Sequence, residues 1–155
     1  MHSFTVFADY FQFVLMDENS QDDFSVIWTE EALHRMLAVA PTAVCPGTLR
    51  NVDVSIEIEI LGQAPEVELS AWDNAVEASI NLPSGRLVVM GCTGYLPDAP
   101  RISILPGTYQ LLSLAGGIET IKNEWEPAED IYRVLLWPGP AREPKLLKRW
   151  QSAAA

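Results

Sequence analysis

Residues 52–60 read VDVSIEIEI, the clearest strand signal in the chain. β-Branched side chains alternate there with polar ones, and this period of two marks a strand that is buried on one face only. We therefore predict that five apolar residues lie in a core: Val52, Val54, Ile56, Ile58 and Ile60. The polar residues between them, Asp53, Ser55, Glu57 and Glu59, then face solvent or a partner.

Length and charge limit the classes of protein to consider. The chain has 155 residues, which is the size of one ordinary domain with a core of its own. It carries 21 acidic and 10 basic residues, giving a net charge of −11 and a pI near 4.4. A chain this acidic is repelled by phosphate backbones, so direct binding to nucleic acid is not expected.

The remaining composition indicates a soluble cytoplasmic protein. Cys45 and Cys92 lie far apart in sequence without metal-binding spacing, and this favours two reduced thiols over one disulfide. The residues after Met1 lack the basic and apolar regions of a signal peptide. The apolar runs are also shorter than a membrane span.

Repeated strand and turn signals predict the fold class. Seven to nine strands, separated by turn residues, are typical of an antiparallel β-sandwich, with a β-barrel as the alternative. Pro106-Gly107 is expected to join strands 101–105 and 108–114 in a hairpin. The further strands are predicted within 4–16 and at 24–28, 50–60, 66–72, 76–82, 86–90 and 131–137.

One helix is predicted over 29–40. Thr29 is a suitable N-cap, and the acids Glu30 and Glu31 in the first turn interact favourably with the helix dipole. Leu33, Met36, Leu37 and Ala40 fall at helical spacing, so the helix is expected to pack one face and to cap an open end or edge of the sandwich.

The sequence divides into a β-sandwich domain over 1–140 and a proline-containing basic tail over 141–155. Pro138, Pro140 and Pro144 argue against regular structure in the tail. No internal repeat indicates a second domain.

The acidic residues are concentrated in the first half of the chain. Residues 1–80 hold 14 acids and 2 bases, whereas the rest holds 7 acids and 8 bases. Between Arg50 and Arg86 there are seven acids, and a meander of strands 52–60, 66–72 and 76–82 puts six of them on one sheet face. Trp72 shares that face, and tryptophan is favoured at interfaces. The predicted partner site is therefore Asp53, Glu57, Glu59, Glu66, Glu68, Trp72 and Glu77.

This acidic face has two interpretations. It is either a docking surface for a basic protein or simply a solvated face of an acidic protein. Other kinds of site find less support. His34 is a helix surface residue rather than a catalytic base, and the loop 17–23 lacks the ligand spacing of a calcium loop. No metal, cofactor or enzymatic activity is therefore predicted.

A second class of function uses aromatic side chains. Trp125 and Trp150 lie in polar surroundings, and the loop 91–100 contains Tyr95. If such residues line a concave pocket, the protein is a small-ligand or carbohydrate-binding module. A flat, open acidic sheet instead favours binding to a protein.

Three stretches resemble the competence protein J family. They are the aromatic opening 10–15 (YFQFVL), the segment 28–32 (WTEEA) before a helix, and 106–111 (PGTYQL) near the end. The resemblance implies a small cytoplasmic bacterial inhibitor that binds a nonspecific nuclease. It does not identify contact residues. Together with the charge pattern, it predicts a non-enzymatic protein that binds a basic nuclease as an acidic inhibitor or immunity-type partner. A homo-oligomer is compatible with the sequence.

Overall fold

The computed structural model describes residues 1–151. These residues form eleven strands and one α-helix. The strands are β1 (His2–Phe7), β2 (Phe13–Asp17), β3 (Leu37–Ala40), β4 (Ala43–Pro46), β5 (Asp53–Ile60), β6 (Asn74–Leu82), β7 (Arg86–Gly91), β8 (Arg101–Ser103), β9 (Gly107–Gly116), β10 (Ile131–Pro138) and β11 (Lys145–Lys148), and the helix is α1 (Glu30–Arg35).

Two sheets pack face to face. The six-stranded sheet has the order β1-β5-β10-β9-β6-β11, and the five-stranded sheet has the order β3-β4-β2-β7-β8. Neither closes into a barrel within residues 1–151, so the predicted sandwich is confirmed. One pairing is parallel, because β10 runs alongside β5 in the same direction, and the larger sheet is therefore mixed rather than purely antiparallel.

The main core lies between the two sheets. Ile56, Leu111 and Val134 contribute from the larger sheet, and Phe13 and Leu87 contribute from the smaller one. A second apolar cluster covers the other face of the smaller sheet, with Ala32 of α1 packed against it. A third cluster covers the other face of the larger sheet. Because both sheets are buried on two faces, β2 and β10 have long apolar runs without strict alternation.

The predicted helix over 29–40 is wrong in its second half. Thr29 caps α1 as expected, accepting a hydrogen bond from the Ala32 amide, but Met36 has a left-handed backbone (φ 62°) and ends the helix. Leu37–Ala40 is strand β3, paired with β4. The apolar side chains of 37–40 therefore alternate between the two faces of a sheet instead of lining one face of a helix. Leu33, which was expected to pack, is exposed.

Three further predictions differ from the structure. β8 pairs with β7 in the smaller sheet whereas β9 belongs to the larger one, so Pro106-Gly107 joins the two sheets and is not a hairpin turn. Residues 24–28 form no strand. Lys145–Lys148, within the predicted tail 141–155, forms β11 on β6, and the last four residues of that tail lie outside the described residues.

The buried thiol of Cys45 gives a pH-dependent prediction. Burial, with a smaller contribution from Cys92, raises the pKa of the Cys45 thiol to about 12. In the unfolded chain the value is about 8.5. Between these values the folded protein keeps a proton that the unfolded chain has lost, so the free energy of unfolding falls as the pH rises from about 9 to 12.

The test compares the wild-type protein with Cys45→Ala by urea unfolding at several alkaline pH values. The loss attributed to Cys45 has an upper limit of about 1.4 kcal/mol per pH unit. We expect a smaller decline for the variant. An equally steep decline for both proteins contradicts the assignment and points to other groups, such as Tyr132, whose pKa burial also raises.

Candidate partner-binding site

The outer face of β5 carries the acids that the alternation predicted. Val54, Ile56 and Ile58 are buried in the core between the sheets, whereas Val52 and Ile60, also predicted to be buried, are half-buried. Asp53 is exposed on the opposite face, and Glu57 and Glu59 are half-buried there. The period of two thus places all three carboxylates on the outer face of the six-stranded sheet.

Residues 61–73, which we call the outer segment, do not form the predicted return strand. The segment leaves β5 where the Leu61 amide bonds to the Leu136 carbonyl, and it rejoins the sheet where the Asp73 amide bonds to the Ala115 carbonyl. Its only regular turn is the short 3-10 helix Leu69–Ala71. The predicted meander is therefore wrong, since β10 and β9 separate β5 from β6.

The outer segment instead covers the middle of the sheet. Its apolar side chains pack on an apolar patch of the strands beneath it, and Glu66 and Glu68 remain exposed. The segment contributes Leu61, Val67, Leu69 and Trp72, and the strands contribute Ala75, Leu112, Leu114, Leu135, Trp137 and Leu147. The alternation in 66–72 thus arises because one side of the segment packs on the sheet. The segment does not form the backbone hydrogen bonds of a strand.

Two acids of the predicted site have basic partners from the second half of the chain. Glu57 accepts hydrogen bonds from Nε and Nη2 of Arg133 on β10, at 3.1 and 2.8 Å. Glu77 lies 3.2 Å from Arg142. The Glu57 pair was missed from sequence because β10 was not expected beside β5. The Glu77 pair was missed because the tail that carries Arg142 was not expected to fold along β6.

Four acids of the site have no basic partner within residues 1–151. These unpaired acids are Asp53, Glu59, Glu66 and Glu68, and the last accepts only a hydrogen bond from the Ser70 hydroxyl at 2.9 Å. They lie on β5 and on the outer segment, around the third apolar cluster. Such a surface carries a negative field that a basic partner relieves.

Trp72 holds the outer segment to the sheet. The Arg133 guanidinium carbon lies 4.9 Å from the centre of its ring. The ring also packs over Gly116, where a Cβ would come within 3.0 Å of it. Trp72 is half-buried, and it was predicted to contact the partner. Its contacts within the chain attach residues 61–73 to the sheet.

The basic end of the chain also folds onto this face. Lys148 donates a hydrogen bond to the Leu69 carbonyl of the outer segment at 3.0 Å. Lys145 lies opposite Glu77 in the register of β11 on β6, and Arg142 forms the ion pair with Glu77. The basic residues near the C-terminus therefore neutralise one side of the acidic surface and leave the β5 side negative.

An acidic loop, residues 118–130, lies at one end of the larger sheet. A buried ion pair supports it: Arg50 Nη2 lies 2.6 Å from Asp130 Oδ1, with the two side chains 8% and 0% exposed. The second carboxylate oxygen accepts a hydrogen bond from the Tyr132 hydroxyl at 2.8 Å. Arg50 also donates to the Glu126 carbonyl. The loop presents Trp125, which is 68% exposed.

A groove of about 330 Å³ contains unusual backbone. Tyr10, Phe11 and Met36 line it, and all three have left-handed φ values of 58°, 60° and 62°. Non-glycine residues adopt this conformation at a cost, and such residues cluster at functional sites. Tyr10 and Leu33 are largely exposed there, whereas sequence patterning had assigned Tyr10 to a strand and Leu33 to a packed helix face.

A second groove, which we call the edge groove, has a volume of about 360 Å³. The loop 91–100 forms one wall with Tyr95, and Thr5 and Phe7 of β1 form the other. This volume lies in the range of small-ligand sites. The sequence had indicated the loop and Tyr95, but it had not indicated that β1 lies across from them.

The acids of the loop 17–23 serve the fold. Asp17 accepts hydrogen bonds from the Ser84 amide and hydroxyl at 2.9 and 2.7 Å. Asp22 accepts from the Thr42 amide and hydroxyl. Among residues 1–151, no group of three or more His, Cys, Asp and Glu side chains is placed to hold a metal ion. In the same part of the chain, no helix is both long and apolar enough to cross a membrane.

This architecture has a solved counterpart. The fold is similar to that of ComJ. The crystal structure of ComJ, the inhibitor of the DNA degrading activity of NucA from Bacillus subtilis, superposes with a TM-score of 0.69 and 17% sequence identity. The match covers 88% of this chain and 95% of ComJ. The predicted resemblance to competence protein J is thus confirmed at the level of the fold.

A second solved structure, crocagin biosynthetic gene J, has the same architecture. Its TM-score is 0.58 with 18% identity, covering 90% of this chain and 96% of that one. No protein-family model matches the sequence, and neither does a curated protein. At these identities the likeness establishes the fold, and function must be argued from the surface.

Proposed function

We propose that this protein is a non-enzymatic inhibitor that binds a basic nuclease through the outer face of the six-stranded sheet. The observation that carries the proposal is the group of unpaired acids, Asp53, Glu59, Glu66 and Glu68, on that face. The surface that a nuclease uses for DNA is basic, because it must attract phosphates. An acidic protein surface is complementary to it and competes with DNA for it.

Two further observations support the proposal. The chain has a net charge of −11, so long-range attraction accelerates its encounter with a basic protein. ComJ, which shares the fold, is described as an inhibitor of the DNA degrading activity of a nuclease. By the same proposal the protein acts in the bacterial cytoplasm, needs no cofactor and does not bind nucleic acid itself.

Capture from a lysate of the native cells tests the proposal. The purified protein is immobilised, and the retained proteins are identified by mass spectrometry at low and moderate salt. We expect a basic nuclease that is released by salt, and we expect the protein to inhibit its degradation of DNA. Recovery of no nuclease under either condition, together with no inhibition of NucA, contradicts the proposal.

Neutralising the unpaired acids is expected to weaken the complex. The variant carries Asp53→Asn, Glu59→Gln, Glu66→Gln and Glu68→Gln. We expect its affinity for the nuclease to fall roughly tenfold or more, with a shallower dependence on salt. Its free energy of unfolding is expected to rise by roughly 0.5–1 kcal/mol, because like charges no longer repel.

A matched variant separates this surface from net charge. Glu30, Glu31, Glu119 and Glu124 are exposed on α1 and the acidic loop, and changing all of them to Gln removes the same formal charge. We expect this control to retain most of the affinity. Equal losses for both variants indicate that only the overall charge matters, and equal retention by both means that the acidic face does not bind.

The edge groove favours one alternative function. Its volume of about 360 Å³ and its exposed Tyr95 suit a small ligand or a sugar ring. Thermal unfolding measured against a panel of glycans and metabolites distinguishes the two functions. A ligand that raises the melting temperature of the wild type, but not of Tyr95→Ala, favours a small-ligand-binding module over the nuclease inhibitor.

A further inference from the structure

The four outer strands of the two sheets are protected to different degrees. β11 carries Lys145 and Lys148 and has an irregular register on β6. β8 has three residues, and β3 has four and lies against α1. Short strands, lysines and covering helices are the usual means of preventing another strand from adding to an edge. β1 is six residues long and contains no lysine, proline or acidic residue.

The backbone groups on the open side of β1 can be assigned from the register. The Ala8 amide donates to the Val52 carbonyl at 2.9 Å, and Phe4 and Val6 continue this ladder with their partners on β5. Hydrogen-bonded and non-hydrogen-bonded positions alternate in an antiparallel pair. The peptide groups of Ser3, Thr5 and Phe7 therefore point away from β5.

Independent contacts agree with this assignment. The carbonyl oxygen of Phe7 lies against Gly91, so close that a Cβ at that position would overlap with it. No backbone group of a turn or loop within residues 1–151 bonds to Ser3, Thr5 or Phe7. The outward groups of Ser3 and Thr5 and the Phe7 amide thus lie unused along the edge groove, whereas Gly91 covers the Phe7 carbonyl.

The edge groove has the shape and charge to hold an extended chain. It runs between β1 and the loop 91–100, and Phe7 and Tyr95 on its two walls are 49% and 69% exposed. Of the residues that the structure describes, those lining it include the acid Asp98 and no Lys, Arg or His. Phe7 also pairs with Asp53 across the ladder, so the groove adjoins the unpaired acids on the outer face.

We propose that an extended segment of a basic protein partner binds along β1 as an additional strand of the six-stranded sheet. This inference rests on the proposed function, since it locates where the partner's chain is held. Main-chain hydrogen bonds to Ser3, Thr5 and the Phe7 amide supply the binding, and alternate side chains reach Tyr95 and the acids. A second copy of this chain is disfavoured as the occupant, because its own net charge of −11 is repelled by an acidic groove.

Two substitutions at one position test the added strand. Thr5→Pro removes an outward N–H and leaves the β1–β5 hydrogen bonds intact, because proline is tolerated where the N–H side of an edge strand faces outward. Thr5→Val changes the side chain but keeps the N–H, so it is the matched control. Urea unfolding of both variants establishes that each one folds.

The probe is a blocked peptide of alternating lysine and valine, about seven residues long, which matches the length of an ordinary strand. We expect it to bind to the wild type and to Thr5→Val with equal affinity, and to Thr5→Pro roughly tenfold or more weakly. Hydrogen exchange of the Ser3, Thr5 and Phe7 amides should slow when the peptide binds. Failure of the peptide to bind, equal binding to all three proteins, or unchanged exchange overturns the inference.

The same variants separate this inference from the proposed function. If the protein inhibits a basic nuclease and Thr5→Pro inhibits it equally well, the inhibitor function stands and the edge site is wrong. If the peptide protects the three amides but no nuclease is bound, the edge site stands and the nuclease proposal fails. A wild-type dimer that Thr5→Pro converts to a monomer overturns the choice of a basic partner.

Discussion

Replacing Asp130 with alanine is expected to lower the free energy of unfolding by roughly 3–5 kcal/mol. The loss arises because Arg50 remains buried with a full positive charge and no counterion, its side chain being 8% exposed. The Arg50–Asp130 contact is ionic rather than an aligned hydrogen bond, since Oδ1 has no hydrogen-bond partner of acceptable angle among the described residues. Urea unfolding monitored by tryptophan fluorescence measures the change.

Two companion variants test the cause. Tyr132→Phe removes only the hydroxyl, which donates to Asp130 and accepts from the Leu49 amide, and we expect it to cost about 1–3 kcal/mol. Arg50→Met combined with Asp130→Leu removes both charges, and it should recover much of the stability lost in Asp130→Ala. If Asp130→Ala costs less than about 1 kcal/mol, the buried charge is not the source of the predicted loss.

The second large effect is expected for Trp72→Ala. Removing the ring leaves a void over Gly116 and takes away the aromatic face beneath Arg133. A buried tryptophan costs about 3–5 kcal/mol when it is truncated, and because Trp72 is half-buried we expect about 2–3 kcal/mol. Residues 61–73 should then become more sensitive to proteolysis, because the contacts of the Trp72 ring with the sheet are lost.

Trp72→Phe is the matched control, since it keeps an aromatic ring over the sheet and should lose less than half as much stability. The two roles considered for Trp72 give opposite patterns. A role in holding the outer segment gives a loss of stability together with proteolysis of 61–73. If Trp72→Ala leaves stability unchanged but weakens nuclease binding, Trp72 is a direct contact with the partner instead.

Local sequence patterns predicted part of this structure well. The alternation in 52–60 correctly placed Val54, Ile56 and Ile58 in the core and the acids on the outer face, because it depends only on the two-residue period of a strand. The cap at Thr29 was also correct, since it depends on bonds within one turn. The four unpaired acids could therefore be assigned to a polar surface before the fold was known.

Features set by distant residues could not be predicted in this way. The partner of Glu57 is Arg133, which reaches it only because β10 enters the sheet beside β5. Residues 66–72 resemble a strand because one side packs on the sheet, and no local pattern distinguishes that packing from a ladder of hydrogen bonds. An apolar residue such as Leu37 suits either a helix or a strand, and here it lies in a strand that pairs with Pro46 of β4.

The parallel pairing of β5 and β10 has a consequence for the order in which the chain folds. The ladders β1–β5 and β6–β9 consist of residues before 117, and each can pair as soon as those residues are synthesised. β10, residues 131–138, then inserts between β5 and β9 and joins the two ladders into one sheet. The centre of the larger sheet is thus completed late, by long-range contacts whose loop-closure cost slows folding. During synthesis, before β10 emerges, both inner strands are edges open to pairing with other chains.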